Sequence, residues 1–190
     1  MKRQAITLGR VGILLPIASI IPFLGIVAGL AAMILLLISQ YNFSRVYEKP
    51  EIFKKALTGT IVVVAGNVLG GIFVTIGLGT AIFTASEAGG LDAIDNYQQI
   101  ASQILGSGMS IFGAIIMFAA AIVGIYFIFK SLQALAEQSN ITMFKTAGLL
   151  YLIGTIASII LIGGLVVFVG WILHIIAYFS IQAEEGTAAT

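Results

Sequence analysis

Four long runs of this chain carry no charged side chain: Val11 to Ser44, Ala56 to Ser86, Asn96 to Phe129 and Thr146 to Ala183. A helix rises about 1.5 Å per residue and needs about 20 apolar residues to cross a bilayer, so each run can span one at least once. As one helix the last run would be about 57 Å long, too much for a single crossing. Breakers lie inside the first and last runs, Pro16 and Pro22 around residues 17–21 and the pair Gly163-Gly164. Proline removes a backbone donor and ends or kinks a helix, so the chain is expected to turn back at these places. The pattern predicts an all-α integral membrane protein, a polytopic helical bundle forming one domain. Its six segments are about 5–21, 23–47, 53–85, 98–138, 144–162 and 165–182, arranged as three helical hairpins. Four spans with two kinked long helices are the alternative. Residues 184–190 are expected to form a short tail.

Repetition supports the hairpin reading, because repeated units reveal architecture before single motifs do. Ile156-Ala-Ser-Ile-Ile160 repeats residues 17–21 letter for letter, and Phe144-Lys-Thr-Ala147 parallels Phe53-Lys-Lys-Ala56. Between the third and fourth segments Leu91, Ile94, Tyr97, Ala101, Ile104 and Leu105 follow helical spacing and predict an amphipathic helix over 91–105. Pro50 and the pair Ser139-Asn140 stand where new helices begin, as a first-turn proline and polar caps would.

Charge placement adds orientation. Lys2, Arg3 and Arg10, then Arg45, Lys49, Lys54 and Lys55, then Lys130 and Lys145 flank the apolar runs, whereas the loop around Glu87, Asp92 and Asp95 holds no base. Basic loops stay on the cytoplasmic side, so the N-terminus and both basic loops are expected inside and the acidic loop outside, in the plasma membrane. Arg10 falls within the first segment and is expected to snorkel toward the inner headgroups. The apolar run after Lys2 and Arg3 continues to Ser39 without a small-residue cleavage site, so no removable signal peptide is expected.

Composition narrows the chemistry. The chain of 190 residues is 59% hydrophobic and 9% charged, with no cysteine and one histidine. Thiol nucleophiles, disulfides and thiolate metal sites are thereby excluded, and no span holds an acid of the kind proton relays use. Catalytic residues, cofactors and metals are not expected, and the chain is not expected to be an enzyme. Nine Lys/Arg against eight Asp/Glu leave a net charge of +1, and no nucleic-acid partner is expected.

Small residues are the most specific local signal. Gly59, Gly66, Gly70 and Gly77 fall within an arc of about 40° at 100° per residue, and Gly106, Gly113, Ala120 and Gly124 do the same on the next segment. Such faces let helices approach closely where lipid offers no hydrophobic drive, and Gly25 and Gly29 add a shorter example. Among the few polar residues within spans, Asn67 and His174 stand out, with Thr75, Thr80, Ser110 and Ser158. A lone imidazole three residues after Trp171 reads as an interhelical residue rather than a haem ligand.

The strings Gly12-Ile-Leu-Leu-Pro-Ile-Ala-Ser-Ile-Ile-Pro-Phe-Leu-Gly25, Pro50-Glu-Ile-Phe-Lys-Lys-Ala-Leu57 and Gly170-Trp-Ile-Leu-His-Ile-Ile-Ala-Tyr-Phe-Ser180 resemble an archaeal and bacterial membrane family called domain of unknown function 996. The resemblance covers nearly the whole chain apart from the acidic loop. It implies a small multi-span protein with no assigned activity, and it carries over no functional residues. The expectation is therefore an accessory or structural subunit of a larger membrane assembly or a homo-oligomer, its partners being the lipid bilayer and other membrane subunits or its own copies. A small channel or transporter built from repeated hairpins is the alternative.

Overall fold

The computed structural model describes residues 1–20, 24–89, 108–160 and 162–181, and all of its regular structure is helical. In chain order these are α1 (Lys2–Leu14), a 3-10 segment (Leu15–Ile20), α2 (Leu24–Val46), α3 (Pro50–Gly89), α4 (Gly108–Ser139), α5 (Thr142–Ala157), a 3-10 turn (Ser158–Ile160) and α6 (Gly163–Ser180). Five helices, α2 to α6, are long and apolar enough to cross a membrane. The expected amphipathic helix over 91–105, Gly106 and the 184–190 tail lie outside the described residues.

Several boundaries differ from the sequence expectation for local reasons. The first segment is an α-helix only to Leu14, where Pro16 cannot donate to Gly12 and its ring crowds that carbonyl, so the chain tightens into 3-10 geometry. The repeated Ile-Ala-Ser-Ile-Ile string meets the same fate twice, because residues 158–160 are also 3-10. The third segment starts earlier, at Pro50, with Glu51 in the first turn and paired to Lys55 one turn on at 2.6 Å. An acid there suits the positive end of the helix dipole.

The pair Ser139-Asn140 does not cap α5. Ser139 Oγ donates back to the Leu135 carbonyl of its own helix, and the N-cap of α5 is Ile141, which makes no side-chain cap bond. Asn140 has φ 55°, the left-handed geometry that ends a helix and that asparagine tolerates. The turn after α2 works alike: Glu48 has φ 53°, Glu48 N donates to Arg45 O at 3.4 Å and Lys49 N to Ser44 O at 2.9 Å. These two bonds form a Schellman motif, with Pro50 next to prevent continuation. Glutamate carries a Cβ into a region that glycine occupies freely. Glu48→Gly is therefore expected to stabilise the protein by about 1 kcal/mol, read from reversible unfolding in mixed micelles.

The chain divides into two compact units, one of Met1–Thr60 with Ile125–Thr190 and one of Ile61–Gly124. In the first, the fully buried side chains Ile6, Phe43, Ile52, Leu132, Leu135 and Phe144 lie within a few residues of a Lys or Arg, and Tyr178 joins them from near the end of α6. Gly12 of α1 lies against α2, where a Cβ would stand 3.1 Å from Leu35 and Leu36, and Gly148 of α5 lies against Phe129 of α4. Helices α5 and α6 meet through glycine pairs: a Cβ on Gly154 would stand 2.8 Å from Val167 N, and one on Gly163 would run into the Gly154 carbonyl. Gly163 thus serves close approach between helices.

In the second unit, residues 61–89 of α3 and 108–124 of α4 meet along a seam of small residues. Outside the apolar core the surface differs from that of a soluble protein. Ile26, Leu30, Val68, Ile115, Ile159 and Leu165 are exposed, while Ser39, Gln40, Ser44, Ser110, Ser131 and His174 are buried. An aliphatic exterior over a partly polar interior suits hydrocarbon as solvent.

Candidate functional site

In the first unit two buried polar side chains, Ser39 and His174, adjoin an aromatic cluster. Tyr178, near the end of α6, stacks on His174 at 5.1 Å between ring centroids and meets Phe144 edge-on at 5.2 Å, with Phe43 at 6.4 Å. The ring lies directly over Gly9 of α1, where even a Cβ would collide with it. Beside it Ser39 Oγ of α2 donates to the Ala5 carbonyl at 2.7 Å and stands 3.5 Å from the Tyr178 hydroxyl. Ala5 lies in the first turns of α1, and α2 so supplies a buried donor to another helix. Ser131 of α4 does the same for α3, donating to the Ile52 carbonyl at 2.6 Å. Each of these serines exchanges a bond to its own helix for a cross-link between helices.

His174 belongs to this cluster. Its Nδ1 stands 3.1 Å from the Tyr151 hydroxyl, while its Nε2 is buried with no hydrogen-bond partner. Trp171, one turn earlier, donates from Nε1 to the Ile13 carbonyl at 3.0 Å and ties α6 to α1.

Arg10 closes the end of α6. Its guanidinium donates to the carbonyls of Tyr178 (3.1 Å), Phe179 (3.3 Å) and Ile181 (3.1 Å) and lies 4.9 Å from the centroid of the Phe179 ring. The last carbonyls of a helix have no partner within it, and a cation complements the negative end of the dipole. The charge inside the first segment is thus answered by protein carbonyls. Arg10→Met is expected to cost about 1–3 kcal/mol in unfolding experiments, and Arg10→Lys to recover only part of it, because an ammonium lacks the planar fork.

In the second unit a Cβ on Gly66 would collide with Ala120, and one on Gly70 would stand 2.5 Å from the Gly113 carbonyl and press on Met117. Phe73 and Phe112 meet edge-on at 5.3 Å along the same seam. Gly77 and Gly124 are buried as well, as is Gly59 in the first unit, whereas Ala120 is half-buried. Gly29 has nothing within 4 Å of its Cβ position. Asn67 is exposed and donates from Nδ2 to the Val63 carbonyl of its own helix at 2.8 Å. It is not brought together with His174 in either unit.

No cluster of three or more His, Cys, Asp or Glu side chains that could hold a metal occurs among the described residues. Gly9, Gly154, Ser39, Ser131 and Tyr178 were not singled out by sequence reasoning. Each is a lone residue whose importance comes from what faces it, and none forms part of a spacing pattern.

Helices of this length and apolarity, with aliphatic exteriors, define a polytopic helical protein made for a bilayer. Residues 28–172 match the model of the family described as protein of unknown function DUF996, and the chain belongs to that family. Among its relatives is the uncharacterised protein MJ1644 of Methanocaldococcus jannaschii, 28% identical over 182 residues that cover 96% of this chain and 94% of the relative. No solved structure matches the chain.

Proposed function

We propose that this chain is a non-catalytic protein of the cell membrane that acts as a structural subunit, packing against other membrane subunits or against its own copies. The observation that carries this reading is where the polar side chains of its spans send their protons: Ser39 and Ser131 donate to neighbouring helices, and the threonines, Asn67 and Ser158 turn back on their own. Thr60 donates to Ala56 O, Asn67 to Val63 O, Thr75 to Gly71 O, Thr155 to Tyr151 O and Ser158 to Thr155 O, every one on its own helix. A conduction path needs polar groups turned toward the permeating species. These faces instead offer hydrocarbon, as the surface of a packing subunit does.

Glycine extends the reading. Gly71 and Gly79 of α3 have nothing within 4 Å of their Cβ positions and lie among the exposed Ile72 and Ile76, which suits the close approach of a further helix. The preferred topology has six crossings in three hairpins. Helix α1 covers about 20 Å and the 3-10 segment about 12 Å more, together near the hydrocarbon thickness of about 30 Å. An even number of crossings leaves both termini with the basic loops, in the cytoplasm by the positive-inside rule.

Native mass measurement after gentle solubilisation, with identification of every co-purifying chain, tests the proposal. The expected result is a stoichiometric complex with other membrane chains or a multiple of 20.0 kDa. A lone 20.0 kDa species that supports solute flux after reconstitution would overturn it in favour of the channel or transporter reading.

A further inference from the structure

A groove of about 230 Å³ runs between α2 and α3 in the first unit, walled by Ile34, Leu37, Ile38 and Tyr41 of α2 and by Phe53 and Leu57 of α3. On α2 the wall residues and Arg45 recur at 34, 37, 38, 41 and 45. These positions share an arc of about 100° on one helix face, so Arg45 stands one turn beyond the groove on the same stripe. Tyr41 and Phe53 meet edge-on at 5.2 Å at the end of the groove nearest Arg45. Arg45 is exposed, and its Cζ lies 5.6 Å from the centroid of the Tyr41 ring. Whereas the Arg10 guanidinium donates to three carbonyls, Arg45 makes no hydrogen bond or ion pair among the described residues.

Length and charge together specify an occupant. From Ile34 to Arg45 the helix runs about 16 Å, close to the hydrocarbon depth of one leaflet, about 15 Å. A lipid tail laid along the aliphatic walls would thus carry its headgroup to Arg45, at the level where aromatic rings concentrate. Between residues 45 and 55 stand Arg45, Lys49, Lys54 and Lys55 against Glu48 and Glu51, and Glu51 is paired to Lys55 at 2.6 Å. Arg45, Lys49 and Lys54 against Glu48 alone leave an excess of positive charge, which favours an anionic headgroup over a zwitterionic one. A guanidinium lying over a ring keeps its N–H edge free, and its planar fork matches two phosphate oxygens. A second copy in the same membrane orientation would instead bring its own basic loop against this one, like charge against like.

We propose that the groove between α2 and α3 is a binding site for an anionic phospholipid, its phosphate held by Arg45 and one of its tails lying between Ile34, Ile38 and Leu57.

The test uses the full-length protein in phosphatidylcholine nanodiscs and two photoactivatable probes, a phosphatidylglycerol and a phosphatidylcholine that carry the same diazirine in an acyl chain. Adducts are mapped by peptide mass spectrometry. The phosphatidylglycerol probe is expected to label Leu37, Ile38, Tyr41 or Leu57 about fivefold more than the phosphatidylcholine probe does, the contribution of one base near the headgroups. Unlabelled phosphatidylglycerol is expected to displace it, and inorganic phosphate is not. Arg45→Gln, a change at an exposed side chain, is expected to bring the two probes to parity. Ile38→Trp, which alters no charge and fills the groove from its exposed side, is expected to abolish groove adducts from both probes while those on Val68 and Leu165 persist. Equal labelling by the two probes in the parent protein, or a preference that survives in Arg45→Gln, would overturn the proposal. Absence of groove adducts in the parent protein, the result expected if a helix of another chain covers the groove, would overturn it too.

Discussion

A Gly70→Leu variant is expected to lose at least about 3 kcal/mol of stability, while Gly71→Leu, one residue away, stays within about 0.5 kcal/mol of the parent. The two glycines face opposite circumstances. A Cβ at Gly70 would stand 2.5 Å from the Gly113 carbonyl and 3.2 Å from Met117 N, and backbone atoms can yield only if the helices separate. At Gly71 nothing lies within 4 Å. Leucine is the better helix former at both positions, so any loss at Gly70 is steric. Separating α3 from α4 forfeits the dispersion contacts that hold helices together in lipid, where burial of apolar surface gives little. Gly66→Leu should behave like Gly70→Leu, since its Cβ collides with Ala120. The comparison is made by SDS titration in mixed micelles, and equal effects at positions 70 and 71 would contradict the seam.

The second large effect is expected at Gly9. Adding a single methyl in Gly9→Ala drives a carbon into the Tyr178 ring, which cannot step aside: Phe144 stands edge-on to it and His174 lies stacked against it. A loss of about 2–3 kcal/mol is expected, larger than the sub-kilocalorie gain in helix propensity that alanine would otherwise bring. The double variant Gly9→Ala with Tyr178→Leu should be less destabilised than the sum of the single changes, by about 1 kcal/mol or more. Strict additivity would mean that the two residues do not touch.

These two sites also mark what could be read before the structure. Spacing alone carries the face: residues 7, 4 and 7 apart fall on one side of a helix, so the alignment of Gly59, Gly66, Gly70 and Gly77 follows from helical geometry. The partner of that face is another matter, because Ala120 and Gly113 are set by how α3 and α4 pack. An all-helical chain with long apolar helices was legible for a similar reason, since uncharged runs and basic flanks are local properties. Gly9 was not legible, standing alone beside Arg10 with no periodic companion, and its role appears only once Tyr178, far along the sequence, is folded over it. Ser39 and Ser131 look like ordinary small polar residues in apolar helices, yet each carries a buried bond to another helix. Gly163 was read as a turn residue from its neighbour Gly164. The structure adds that its Cβ position is closed both by the Ser158 backbone of that turn and by the Gly154 carbonyl, a contact across the α5–α6 pair that no local rule contains.

The proposed topology has an even number of membrane crossings, with the basic loops on one side. Because the chain has no cysteine, single cysteines introduced at Gln4, Lys49, Thr142 and Asn96 can be tested one at a time in intact cells with a membrane-impermeant maleimide. The account predicts labelling at residue 96 from outside, and protection at residues 4, 49 and 142 until the membrane is opened. Residues 4 and 49 found on opposite sides would contradict it, because the chain between them would then cross an odd number of times.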